Sequence, residues 1–138
     1  MNIGFLGLGK LGLPVSLSIE SKGHNIYGYD ISEQTLQDIK SKKIRYKEEW
    51  VEKYLRSTKL EIVNLVDLVK KSEIIFVPIQ TPHDPLYEGI TKIPKKRVDF
   101  DYSYLKSGIK DLSNVIEKNK KDIVVIIIST VLPGTIRS

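Results

Sequence analysis

Apolar runs and segments with helical spacing of apolar residues alternate along the whole chain. Five apolar runs predict strands at residues 2–6, 25–29, 61–63, 74–77 and 123–128. The segments between them predict helices that begin near Lys10, Ser32, Trp50, Asn64 and Asp101. This order is typical of an α/β fold in which a parallel sheet carries helices on both faces.

Residues that start and stop these elements support the assignment. N-cap candidates precede three of the helices, namely Ser32, Asn64 and Asp101. Gly23 is placed to end the first helix in a left-handed conformation, and Pro78 ends the hydrogen-bond ladder of the fourth strand. Residues 74–77 have no polar position, which predicts a strand buried on both faces. Residues 81–100 hold three prolines and no periodicity, which predicts a long loop.

A glycine-rich turn follows the first predicted strand, with the sequence Gly7-Leu8-Gly9-Lys10-Leu11-Gly12. In this G-x-G-x-x-G pattern, the first glycine permits a tight turn and the third lets the helix pack closely on the strand. The middle glycine lets a pyrophosphate approach the backbone, where the amides and positive end of the helix face it. The motif alone is weak, but its position between a strand and a helix indicates a dinucleotide site.

Asp30 ends the second predicted strand, where a ribose-binding acid is expected in such a site. Its carboxylate can accept hydrogen bonds from both adenosine ribose hydroxyls, and it would repel the 2′-phosphate of NADP. No arginine follows it directly, so the sequence favours NAD. An aspartate at this position is equally able to cap the next turn.

Two polar segments follow later strands. They are Gln80-Thr81-Pro82-His83 and Ser129-Thr130-Val131-Leu132-Pro133-Gly134-Thr135. Ligands of open α/β sheets bind at the carboxyl ends of the strands, so we expect both segments beside the cofactor crevice. Either segment alone is also compatible with an ordinary loop held by side-chain hydrogen bonds.

Composition narrows the class of protein and its partners. The 138 residues are the size of one domain, and 41% hydrophobic with 28% charged residues is typical of a globular chain. No apolar run reaches membrane-spanning length, no secretory signal pattern is present, and there is no cysteine. The net charge of +5 is modest and the lysine clusters are interrupted. We therefore expect a cytoplasmic protein with neither a nucleic-acid nor a membrane partner, and no metal site.

These segments together resemble the N-terminal NAD-binding domain of the UDP-glucose/GDP-mannose dehydrogenase family. The similarity covers essentially the whole chain, and the Thr-Pro and Ser-Thr-Val-x-x-Gly-Thr pieces are its most specific parts. It implies a Rossmann-type doubly wound sheet of about five strands that stops before a sixth. The cofactor-binding residues that it implies are Gly7, Leu8, Gly9, Lys10, Leu11, Gly12, Asp30, Thr35, Ile79, Gln80, Thr81, Pro82, His83, Ser129, Thr130 and Val131.

Two of these positions depart from the family pattern. Thr35 stands where the family often has a basic residue near the adenosine, and His83 stands where a threonine or another small residue is common. A lone histidine in a loop is equally compatible with simple solvation.

The resemblance also implies an apparatus that these residues do not contain. Such enzymes oxidise a sugar alcohol to a carboxylate in two hydride transfers to NAD, through a thiohemiacetal and then a thioester on a cysteine. Because the chain has no cysteine, we expect residues 1–138 to be a cofactor domain that binds NAD but has no catalytic residues. The nucleotide-sugar substrate would bind through a C-terminal part that is absent.

Two alternatives and one structural expectation stay open at this point. A β-hydroxyacid dehydrogenase would share the strand, glycine loop and aspartate, and a non-catalytic NAD-sensing module would share the whole site. In the usual strand order 3-2-1-4-5-6, a missing sixth strand leaves residues 123–128 at an edge. Such an apolar edge predicts self-association through that strand.

Overall fold

A computed structural model describes residues 1–90, 92 and 94–137 of the chain. Thr91 and Ile93, which fall in the predicted long loop, and Ser138 lie outside the described residues. The elements are β1 (Asn2–Leu6), α1 (Gly12–Glu20), β2 (Asn25–Tyr29), α2 (Glu33–Lys40), α3 (Val51–Ser57), β3 (Glu61–Ile62), α4 (Leu65–Lys71), β4 (Ile74–Val77), α5 (Ser103–Asn119) and β5 (Val124–Ile127). This order confirms the predicted alternation of strands and helices.

The strands form one parallel sheet in the order β3-β2-β1-β4-β5. The chain moves outward from β1 to β3, returns to the other side of β1, and moves outward again. Right-handed crossovers in the two directions place their helices on opposite faces of the sheet. The predicted doubly wound arrangement is therefore confirmed, and β5 lies at an edge as expected.

One face of the sheet packs against α1, α2 and α3. Its core contains Phe5 from β1, Leu17 from α1, and Val51 and Leu55 from α3, all of them fully buried. Phe5 also stacks on Phe76 of β4, with ring centroids 5.3 Å apart. Leu8, from the glycine loop, belongs to the same core.

The opposite face packs against α4 and α5. Leu68 and Val69 of α4 and Leu105 and Leu112 of α5 meet the alternate residues of β1 and β4. The two cores together hold β1 and β4 in the centre of the sheet, so the carboxyl ends of these strands are rigidly placed.

The structure corrects three predicted boundaries near the ends of elements. The first helix begins at Gly12, not near Lys10, because the glycine loop stays irregular as far as Leu11. The third strand ends at Ile62, and the fifth spans only Val124–Ile127. Backbone hydrogen bonds from Val63 and Ile128 nevertheless continue both ladders by one residue.

One further prediction near the long loop is wrong in detail. Tyr102, not Asp101, holds the N-cap position of α5. The Asp101 carboxylate accepts the Ser103 amide from one residue further out, and hydrogen bonds from Ser103 lower the pKa of that carboxyl. The loop itself contains one 3₁₀ turn, Pro85–Tyr87, whose start is capped by Asp84.

Burial along β4 and β5 also differs from the expectation. Ile75 and Val77 of β4 are buried, but Ile74 and Phe76 on the other face are only half-buried. Helices α1–α3 cover mainly β1 and β2 on that face, so β4 and β5 are less shielded there. In β5, the exposed fraction of Val124 is 57%.

Candidate functional site

The glycine loop between β1 and α1 has the geometry that its sequence predicts. Gly7 has a φ of 117°, which only glycine adopts without strain, and its amide donates to Tyr29 O at 2.8 Å. A Cβ on Gly12 would lie 2.2 Å from Gly7 O and 2.8 Å from Pro78 Cγ, so only glycine fits there. A Cβ on Gly9 would meet no atom within 4 Å. The middle glycine therefore borders open space.

Helix α1 starts without a cap. Its N-cap residue, Leu11, has no side-chain acceptor, and its first turn has no acidic residue. Within the described chain, no recorded hydrogen bond engages the amides of Lys10, Leu11 and Gly12. Helices α2 and α4, by contrast, are capped by Ser32 and Asn64. The free amides and the helix dipole make the start of α1 suited to an anion.

Asp30 lies beside this loop, at the carboxyl end of β2. Its Oδ2 accepts the Leu8 amide at 2.7 Å, and its Oδ1 accepts the Ser32 amide at 2.8 Å. A carboxylate offers about four lone-pair positions, so each oxygen keeps one for a further donor. Asp30 thus caps the next turn, as its sequence position allowed, and still has acceptor capacity on the side of the glycine loop.

The loops that follow β4 and β5 are joined to each other. Thr81 Oγ1 donates to Thr130 O at 2.7 Å, and Ser129 Oγ donates to Val77 O at 3.1 Å. Pro78, directly after β4, packs against Gly7 and Gly12. These contacts therefore connect the loops at the carboxyl ends of β1, β2, β4 and β5. The hydroxyl protons of Thr81 and Ser129 are both engaged in hydrogen bonds between these loops and strands.

The other residues that the sequence singled out lie less centrally. Ile79 is half-buried, and its Cδ1 occupies the space beside Gly108 of α5. Thr35 is the first-turn residue whose amide is capped by Ser32. Gln80, Pro82 and His83 are exposed. Among the described contacts, none links Thr35 or His83 to the glycine loop.

Three residues of this edge were missed by sequence reasoning. The hydroxyl of Tyr102 donates to Asp99 Oδ1 at 2.7 Å and accepts the Leu132 amide at 3.1 Å, which ties the two later loops together. Pro78 was recognised only as a strand terminator. The side chain of Ile31 is 81% exposed directly after Asp30. Ile31 could have been noticed in the sequence as an apolar residue directly after the predicted ribose ligand. No neighbouring sequence feature indicated the contacts of Tyr102.

A concave surface lies at the opposite end of the strands. A groove of about 560 Å³ runs along the amino ends of β2 and β3 and the end of α1, lined among others by Glu20, His24 and Glu61. It is separate from the glycine loop and Asp30. Within residues 1–90, 92 and 94–137, no group of three or more His, Asp or Glu side chains is placed to hold a metal ion.

Comparisons with known proteins show the family to which this chain belongs. Residues 1–138 match the family described as UDP-glucose/GDP-mannose dehydrogenase family, NAD binding domain. UDP-N-acetyl-D-mannosamine dehydrogenase of Pyrococcus horikoshii is 30% identical over 98% of this chain, which corresponds to 30% of that protein. The crystal structure of a ternary complex of GDP-mannose dehydrogenase from Pseudomonas aeruginosa has a TM-score of 0.82 and 25% identity, over 100% of this chain and 30% of that one.

The solved structure of the Pyrococcus horikoshii UDP-N-acetyl-mannosamine dehydrogenase has a TM-score of 0.76 at 30% identity, over 98% of this chain and 30% of that one. The chain thus spans about 30% of the length of the relatives that it matches.

Proposed function

Because this chain belongs to the UDP-glucose/GDP-mannose dehydrogenase family and matches its NAD-binding domain, we propose that it is the cofactor part of a nucleotide-sugar dehydrogenase. The whole protein would oxidise the sugar alcohol of a nucleotide sugar to a carboxylate. Family membership favours this function over the β-hydroxyacid dehydrogenase and the non-catalytic sensing module. The observation that carries the proposal is the uncapped start of α1 beside the open space at Gly9.

The pyrophosphate of NAD fits the start of α1. The free amides of Lys10, Leu11 and Gly12 would donate to its oxygens, and the open space at Gly9 would admit it close to the backbone. No acidic residue stands in the first turn to repel it. Lys10 is exposed at the same end of the helix, and its ammonium would add to the favourable potential.

Asp30 would bind the adenosine ribose. Each of its oxygens has a remaining lone pair, which matches the two vicinal hydroxyls of the ribose. A phosphate on the 2′-oxygen would meet this carboxylate at close range, so we propose NAD over NADP as the cofactor. The exposed Ile31 next to it would contact the adenine side of the ligand.

The two later loops would line the remainder of the cofactor. Because Thr81 and Ser129 already donate their protons to backbone carbonyls, their oxygens are left as acceptors only. Backbone groups between Ile79 and His83, and between Ser129 and Val131, would supply the other contacts. NAD, when bound, supplies the hydride acceptor, and these residues orient it and shield it from water.

The described residues supply no catalytic group for the oxidation itself. The nucleophile that the family resemblance implies is a cysteine, and the 138 residues contain none. Residues 1–138 alone would therefore bind NAD without turnover, and the nucleotide sugar would bind through the remainder of the protein.

None of the described helices combines the length and the apolar character that crossing a bilayer requires.

Calorimetric titration with NAD and NADP tests the cofactor assignment, and we expect NAD to bind at least about tenfold more tightly. NADH production by the complete protein with UDP-glucose, UDP-N-acetylmannosamine or GDP-mannose tests the reaction. Absence of NAD binding would refute the cofactor site. NAD binding without turnover of these nucleotide sugars would refute the proposed reaction and leave the β-hydroxyacid dehydrogenase and the sensing module as the alternatives.

We also propose self-association through the free edge of β5. Among the described residues β5 pairs only with β4, and Val124 and Val125 are 57% and 37% exposed. An unpaired apolar edge strand is a template for a second copy. Light scattering should show a dimer of the 138-residue chain that Val124→Lys converts to a monomer. A wild-type chain that stays monomeric at high concentration would contradict this.

A further inference from the structure

The glycine loop is hydrogen-bonded to the end of β2. Two hydrogen bonds cross between them, from Gly7 N to Tyr29 O and from Leu8 N to Asp30 Oδ2. The same carboxylate accepts the Ser32 amide through its other oxygen. Asp30 therefore connects the loop after β1, the end of β2 and the turn into α2.

The side chain of Leu8 strengthens this connection. It is 1% exposed and lies over Gly28, where a Cβ would be 2.7 Å from Leu8 Cδ1. Packing over Gly28 fixes the Leu8 side chain, and the hydrogen bond to Asp30 fixes the Leu8 amide. The Leu8 amide consequently points to the carboxylate, and the loop continues from there to Gly9, which borders open space.

We propose that Asp30 is a positioning residue for the glycine loop in addition to a ribose ligand. Its carboxylate fixes the loop in the shape that binds a diphosphate before the ligand arrives. This inference rests on the proposed NAD site and goes beyond it, because it assigns Asp30 an effect on ligands that have no ribose diol. Preorganisation of this kind lowers the ordering cost of binding.

The direction of the change in diphosphate affinity when Asp30 is replaced distinguishes a positioning role from electrostatic repulsion. Asp30 carries a negative charge close to the proposed diphosphate position, so removing the charge alone should strengthen diphosphate binding or leave it unchanged. Removing the support for the loop should weaken it. For a ligand without ribose hydroxyls, the two explanations therefore predict opposite changes.

The experiment is a cycle of two proteins and two ligands, measured by calorimetry on the complete protein well below its unfolding temperature. The ligands are ADP and 2′,3′-dideoxy-ADP, which keep the adenine and the diphosphate but differ in the ribose hydroxyls. We expect Asp30→Asn to weaken dideoxy-ADP binding by about 3- to 10-fold, the effect of one lost hydrogen bond. ADP binding should weaken further.

Glu33→Gln is the matched control, because it removes an exposed carboxylate from the first turn of α2 without a recorded contact to the loop. It should leave the affinity for both ligands unchanged. Hydrogen–deuterium exchange of the peptide that contains Leu8 gives an independent measurement in the ligand-free protein, and it should be faster in Asp30→Asn than in either other protein.

Unchanged or tighter dideoxy-ADP binding in Asp30→Asn, with unchanged exchange at Leu8, would overturn the positioning role and leave the ribose contact intact. If the wild-type protein bound neither ADP nor NAD, the proposed function would fail instead, and this inference with it.

Discussion

Replacing Gly9 by alanine should separate cofactor binding from folding. Gly9 borders open space, with no atom within 4 Å of an added Cβ, and its φ lies outside the left-handed region. Alanine at such a position restricts the unfolded chain and should raise the free energy of unfolding by about 0.4–1 kcal/mol. The same methyl group would stand where the pyrophosphate approaches. We expect NAD affinity to fall at least about tenfold, which corresponds to about 1.4 kcal/mol.

Gly12→Ala is the matched comparison, because it adds the same methyl group three residues later. There the Cβ would lie 2.2 Å from Gly7 O, a backbone atom that no rotamer change can move away. Overpacking of this kind should lower the free energy of unfolding by about 3 kcal/mol. Gly12→Ala should therefore lose both stability and binding, whereas Gly9→Ala should lose binding alone.

Urea denaturation measures the stability of the three proteins, and calorimetry measures their NAD affinity at a temperature where all are folded. Wild-type affinity in Gly9→Ala would refute the position that we assign to the pyrophosphate. A Gly9→Ala protein destabilised as strongly as Gly12→Ala would show that the glycine serves folding and not the ligand.

Three further changes test buried groups of the fold and one contact of the site. Among the residues that the structure describes, the fully buried Ser72 hydroxyl has no hydrogen-bond partner, so Ser72→Ala should raise the free energy of unfolding by about 1 kcal/mol in urea denaturation; a loss would reveal a partner for it. Burial raises the pKa of Tyr46 from 10.0 to about 12, so its neutral form adds stability that is present below pH 10 and lost as the pH rises through 12. An ultraviolet titration should lose its last tyrosine step in Tyr46→Phe, and an unchanged curve would contradict this. Tyr102→Phe removes the bridge between Asp99 and Leu132 and should weaken NAD binding a few-fold, with faster deuterium exchange at residues 129–135; unchanged exchange would show that the bridge is not needed.

Local rules account for most of what the sequence predicted correctly. Ser32 and Asn64 cap the helices that follow them because the side chain and the amide that it accepts are only three residues apart. Gly23 has a φ of 90°, as expected of a residue that ends a helix in the left-handed conformation. The parallel sheet follows from the alternation of apolar runs and helices. The strand order agrees with the usual order that the sequence analysis assumed.

Contacts between distant residues were decided only by the tertiary structure. The sequence placed Asp30 at the ribose position, but only packing of the loop on β2 shows that its carboxylate also holds Leu8, 22 residues away. Thr81 and Thr130 are 49 residues apart, and their hydrogen bond depends on β4 and β5 being neighbours in register. Burial of β4 and β5 also depends on distant residues, because helices from other parts of the chain determine how far these strands are covered. The sequence by itself thus determined the type of each element and the residues that cap α2 and α4, but not the exact ends of α1, β3, β5 and α5. The hydrogen bonds that join the loops after β1, β2, β4 and β5 form only once the sheet has assembled, because they connect residues that are far apart along the chain.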